Sequence, residues 1–239
     1  MAVAHRSLTS LSFGARTNST LSAPAGLADN DILLLILGMQ TTAGTVPTPT
    51  APAGFSPVGG GDANGLVIYV DPAGGSANDE MGIYAWYKRA SSESGSYTVT
   101  HASCTTFGYL GAYTGGATSG NPTDNPNASG NSGTGGGSMT ATGVTTAVDG
   151  SLIVFAGLVW DSIGATTPPT GMTERLELIA AYVADEVRAT AGATGNRVTT
   201  SGPAGNGWAA ALITIEPAVG GAGDAVPVCW ASYRRRRAA

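Results

Sequence analysis

Two solid apolar runs constrain this chain more than anything else in it. Residues 149–160 read DGSLIVFAGLVW, a turn signal at Asp149-Gly150 followed by apolar residues up to Trp160. Residues 31–39 read DILLLILGM and follow a turn-like Asn30. Neither run alternates between apolar and polar residues. A strand of this kind has to be covered on both faces, so each run predicts a central strand of a layered β-fold.

The same events recur in the same order behind each run. A proline-glycine-apolar signal comes first, Pro52-Ala53-Gly54-Phe55 and then Pro169-Thr170-Gly171-Met172. Asp149 follows Asp31 by 118 residues, and Pro169 follows Pro52 by 117. A mixed strand with a charged exit follows, residues 83–89 and then 179–188. A glycine turn then leads into threonine-rich strands at residues 95–100 and 195–200. Small-residue and aromatic strands close each set, residues 107–113 and 208–215. This predicts two degenerate copies of one β-unit, each supplying part of a single core.

Composition agrees with short strands and many turns: 36 glycines, 13 prolines and only 11% charged residues in 239. A net charge of −5 gives the body no electrostatic case for binding nucleic acid. Residues 1–14 contain no continuous apolar region, so no signal peptide is expected. The longest apolar run, residues 32–37, falls far short of the roughly 20 residues that span a bilayer. The expectation is a product made in a cytoplasm, with no membrane insertion. Cys104 and Cys229 could pair, but their spacing shows no framework or metal site, and free thiols are expected.

In chain order, residues 3–22 predict one or two edge strands and residues 41–54, with Pro47, Pro49 and Pro52, an extended loop. Residues 66–70 predict a short strand. Residues 115–138, rich in glycine, asparagine, serine and threonine, are expected to be a mobile loop joining the copies. Residues 139–144 are a further strand candidate. Residues 174–187 have enough helix formers to suggest a helix, but their match to residues 83–89 argues for strands. The organisation is one β-sandwich domain at residues 1–217, with copies at about 8–114 and 139–216. A glycine linker and basic arm occupy residues 218–239.

These features resemble a family of jelly-roll-like β-sandwich proteins found among bacteriophage virion components, capsid or tail accessory proteins, and bacterial surface proteins. The matching residues are LADNDILLLIL, the PAGF and PTGM signals, Tyr87-Lys88-Arg89-Ala90, and ATAGATGNRVTTS at residues 189–201. The resemblance implies an all-β, two-sheet scaffold over about residues 8–216. It carries no catalytic residues.

Candidate chemistry is sparse. A nucleophilic triad needs a histidine, and only His5 and His101 are available, with no G-x-S-x-G. Asp79-Glu80 are neighbouring carboxylates, which rarely face each other across a substrate. Asp29-Asn30-Asp31, and Asp71 with Asp79, offer oxygens but no EF-hand spacing. The runs Gly59-Gly60-Gly61 and Gly135-Gly136-Gly137 lack a phosphate loop's lysine. No catalytic, metal or cofactor residues are therefore assigned.

Tyr69, Tyr84, Trp86, Tyr87, Tyr109 and Tyr113 form a dense aromatic group. Core packing is its ordinary role, but Tyr84, Trp86 and Tyr87 could instead stack on a glycan. The tail carries Trp230 and Tyr233 ahead of Arg234, Arg235, Arg236 and Arg237, a basic arm able to dock on an acidic neighbour. The expected function is a non-enzymatic accessory protein of a phage-like particle, present in many copies or as a homo-oligomer, located in the virion and binding other virion proteins. The alternative is a carbohydrate-binding or host-surface adhesion module.

Overall fold

The computed structural model describes residues 1–59, 62–71, 78–123, 127–131 (backbone alone), 138–160, 164–199 and 207–218. The arm with Trp230, Tyr233 and the four arginines, its glycine linker, Cys229 and the 135–137 glycine run lie outside the described residues, as do Gly60 and Gly61.

The described residues form antiparallel β-structure with no helix. In chain order the strands are β1 (Ala4–Ser22), β2 (Ile32–Thr41), β3 (Ser56–Pro57), β4 (Leu66–Val70), β5 (Glu80–Arg89), β6 (Ser96–Thr114) and β7 (Asn127–Asn131). Then come β8 (Thr140–Ala141), β9 (Thr145–Thr146), β10 (Ser151–Val159), β11 (Thr173–Leu178), β12 (Ala181–Arg188), β13 (Gly192–Ala193), β14 (Arg197–Val198) and β15 (Trp208–Ile215). One large sheet runs β1-β6-β2-β5-β3, with β4 also on β5. The other runs β11-β12-β10-β15-β7. Strands β1 to β6 all belong to the first sheet.

The apolar runs are the central strands β2 and β10, and every residue of both is buried. Successive side chains of a strand point to opposite faces, so each run faces two layers. Ile32, Leu34 and Ile36 join Leu152, Val154, Ala156 and Leu158 in one core shared by both sheets. Leu33, Leu35, Leu37 and Met39 face outward, where Leu21, Val46, Tyr97 and Val99 cover them. Ile153, Phe155 and Val159 face the opposite way, beneath Met139, Ala141 and Val144. Three stacked cores explain why neither central strand could alternate.

The covers are ribbons. In the first sheet, residues 18–22 of β1 pair with residues 96–100 of β6, beyond the bulges of β1. Over the second sheet, β8 pairs with β14 and β9 with β13. The bonds Thr194 N–Val144 O and Thr199 N–Met139 O join these into one ribbon.

Neighbour relations repeat between the sheets. β2 lies between β6 and β5, and β10 lies between β15 and β12. β1 flanks β6 as β7 flanks β15, while β4 flanks β5 as β11 flanks β12. The entry turns make similar bonds. Asn30 and Gly150 both have positive φ, 71° and 83°. Their amides donate to Ala90 O and Arg188 O. Asp29 Oδ1 accepts Ser92 N at 2.7 Å, and Asp149 Oδ1 accepts Ala191 N at 2.7 Å. The proline-glycine signals also match, with Phe55 N donating to Pro52 O and Met172 N to Pro169 O.

Several sequence expectations need correction. The turn bonds equate Asp149 with Asp29 rather than Asp31, an offset of 120 residues in place of 118. Residues 115–138 are not all loop, because β7 pairs along β15 from Asn127 to Asn131. The strands expected at 97–100 and 107–113 are one strand, β6, running along most of β1. The threonine-rich strand expected at 195–200 is reduced to Arg197–Val198. The candidate strand at 139–144 is reduced to Thr140–Ala141.

Candidate functional site

A cavity of about 520 Å³ opens where β1, β2 and β6 meet the exit of β10. Its aromatic walls are Phe13 and Trp160, and Gln40, Thr41, Ser103 and Thr105 supply polar groups. Phe13 reaches the cavity because β1 bulges there. Leu11 pairs with Gly108 and Gly14 with Thr106, so Ser12 and Phe13 stand opposite the single residue Phe107. Bulges re-aim side chains in this way and are common beside functional sites. Trp160 follows the last residue of β10 and packs against the shared core. Gln40 is only 6% exposed and crosses between the sheets, donating its Nε2–H to Val159 O.

Cys104 also lines the cavity. Its Sγ lies 3.6 Å from Nδ1 of His101. Burial pushes the thiol up to about 11, with the Arg16 charge opposing, so the nucleophilic thiolate is scarce at neutral pH. His101 Nδ1 is 2.8 Å from Ala102 O, and its Nε2 is 2.9 Å from Ser19 Oγ. This serine–histidine pair, 82 residues apart in sequence, has no local signal. Ser19 is completely buried and also meets Thr106 Oγ1 at 3.0 Å, which Arg16 holds in turn. No substrate can reach Ser19. The cluster ties the β1–β6 ribbon together beside its bulges.

A second polar cluster spans the seam between the sheets. Arg175 of β11 grips Asp185 of β12 through two bonds of 2.7 and 2.8 Å. Across the seam, Tyr109 and Tyr113 of β6 are fully buried and share a 2.8 Å bond between their hydroxyls. His5 of β1 packs edge-on against Tyr113, with centroids 5.5 Å apart, and its Nε2 is buried without a hydrogen-bond partner. Burial, and then the Arg175 charge, lower the His5 pKa, with Asp185 opposing.

The aromatic residues proposed from sequence do not form a surface. Tyr84 and Trp86 are 4% and 1% exposed and stack on each other in the outer core of the first sheet. Tyr87 points to the opposite face, against the shared core. Trp86 also lines a second cavity, of about 340 Å³, beneath the proline-rich loop. Burial also pushes the Tyr84 phenol up to about 12. Of the carboxylates, Glu80 is buried and accepts Val46 N, and Asp31 pairs with Arg6 at 2.6 Å. Among the described residues, no three His, Cys, Asp or Glu side chains gather as metal ligands do. The chain matches no protein-family model and no curated protein.

Proposed function

We propose that this chain is a non-enzymatic structural subunit of a bacteriophage-like particle, a capsid-decoration or tail-associated protein that acts by protein–protein binding. One observation carries the reading: the buried carboxylates Asp31, Glu80 and Asp185 are engaged in holding the body together. Asp31 pairs with Arg6 and also accepts Ala28 N. Asp185 is gripped by Arg175, and Glu80 by the Val46 amide. The Thr194 and Thr199 hydroxyls accept Val144 N and Met139 N beneath the outer ribbon. Such a body presents fixed surfaces to neighbours. In this reading the arm at residues 226–237, with Trp230, Tyr233 and Arg234 to Arg237, supplies attachment, since desolvated aromatic and arginine contacts are common energetic anchors.

The scaffold arose, in the same proposal, from two copies of one β-unit. The repeated sheet order and entry turns support that history. The jelly-roll-like relationship rests on the sequence resemblance. The test is to purify particles from the host in which the chain is made and quantify it by mass spectrometry. The proposal expects a fixed copy number per particle through successive density gradients. Particles lacking the chain, with all of it in the soluble fraction, would overturn it.

A further inference from the structure

The cavity between Phe13 and Trp160 plays no part in that structural role, and its chemistry is specific. We propose that it is a subsite for a neutral saccharide, clasped between Phe13 and Trp160 and hydrogen-bonded by Gln40. Its volume of about 520 Å³ falls in the ordinary range of small-ligand sites, about 300–1,000 Å³. Among the described residues, no charged side chain lines it.

Gln40 supplies the built polar element. It is more than nine-tenths buried, and its one side-chain bond goes to Val159 O. A primary amide carries two donor hydrogens and an acceptor oxygen. The second hydrogen and the oxygen therefore remain for a ligand in the cavity that Gln40 lines. Thr41, Ser103 and Thr105 add hydroxyls, each able to donate and accept. Sugar hydroxyls have the same dual character, and a sugar's C–H face suits an aromatic wall.

Other ligand classes fit worse. An acyl chain would leave the amide and hydroxyls desolvated and unpaired, at about 1–3 kcal/mol for each group. A nucleotide or other anion would meet no cation among the described residues of the lining, on a chain of net charge −5. The Cys104 thiol stays protonated and adds no charge.

The test uses the full chain on an array of neutral and acidic glycans. Saturation-transfer NMR against free glucose, galactose, mannose and N-acetylglucosamine follows at millimolar concentration. Saturable binding of at least one neutral sugar is expected. Trp160→Ala and Phe13→Ala should each weaken it about tenfold, equivalent to about 1.4 kcal/mol; because both rings also pack on the core, binding is read well below each variant's own melting midpoint. Gln40→Ala also removes the bond to Val159, so the two aromatic variants decide. Absence of binding in both formats, binding that survives both substitutions, or preference for acidic glycans, nucleotides or acyl chains would overturn the proposal. The free subunit is the material throughout, so the outcome is independent of whether the chain sits on a particle.

Discussion

A Cβ placed on Gly38 would sit 1.8 Å from Cε1 of Phe107, the residue paired with it across β2 and β6. Phe107 is fully buried in the shared core and cannot retreat. Gly38→Ala should therefore destabilise the fold by about 1–3 kcal/mol, the usual range for overpacking. The urea midpoint measures it, and an unchanged midpoint would mean that Phe107 has another place to go. His5 makes a second prediction at this scale. Its folded-state pKa is lowered, so as pH falls through about 6.5 the unfolded chain takes up the proton first. Stability then declines as pH falls further, until His5 in the folded protein is also protonated. The facing groups are Arg175, which disfavours the charged ring, Asp185, which favours it but already holds Arg175, and the Tyr113 ring. Melting midpoints from pH 7.5 to 5 should show a drop that His5→Gln reduces. An equal drop in the variant would assign the effect to other groups.

At the scale of elements, the ribbons are what permit wholly apolar central strands. Met139 is fully buried under the ribbon over the second sheet, against Gly157. Met139→Ala should cost about 2–5 kcal/mol. Val198→Ala, on the same ribbon but 42% exposed, should stay within about 0.5 kcal/mol. Equal small effects by chemical denaturation would mean the ribbon is ornament rather than cover. The central strands were legible because residues 32–39 and 152–160 carry no polar alternation, which leaves no face for solvent. The tight turns were legible from Gly54, Gly150 and Gly171, all of which take positive φ. Non-local cover was not legible. Tyr84 and Trp86 alternate with Tyr87, which reveals two faces, but nothing local says that Val46, Phe55 and Leu21 close over one of them. Phe13 escaped notice because a bulge exists only in the pairing of two strands. β7 escaped because NASGN has no apolar alternation, and its pairing with β15 defines it.

At the scale of the molecule, the strand pairs at the two open edges of the sandwich correspond. β1 meets β11 at one edge, and β4 meets β7 at the other. In the proposed two-copy reading, β1 answers to β7 and β4 to β11, so one edge answers to the other. At the last described residues, Ala218 N donates to Gly115 O and Ala117 N donates to Glu216 O. In the proposed function the basic arm at residues 226–237 is the attachment device, with an electrostatic part screened over about 8 Å at physiological ionic strength. The most direct measurement compares the full chain with a truncation after Ala218 for binding to purified particles, across a salt series. The truncated protein should keep the full chain's melting midpoint, occupy fewer sites, and lose the salt-sensitive part of binding. Wild-type occupancy and salt dependence in the truncation would contradict attachment through the arm, and binding by neither protein would contradict the particle role itself.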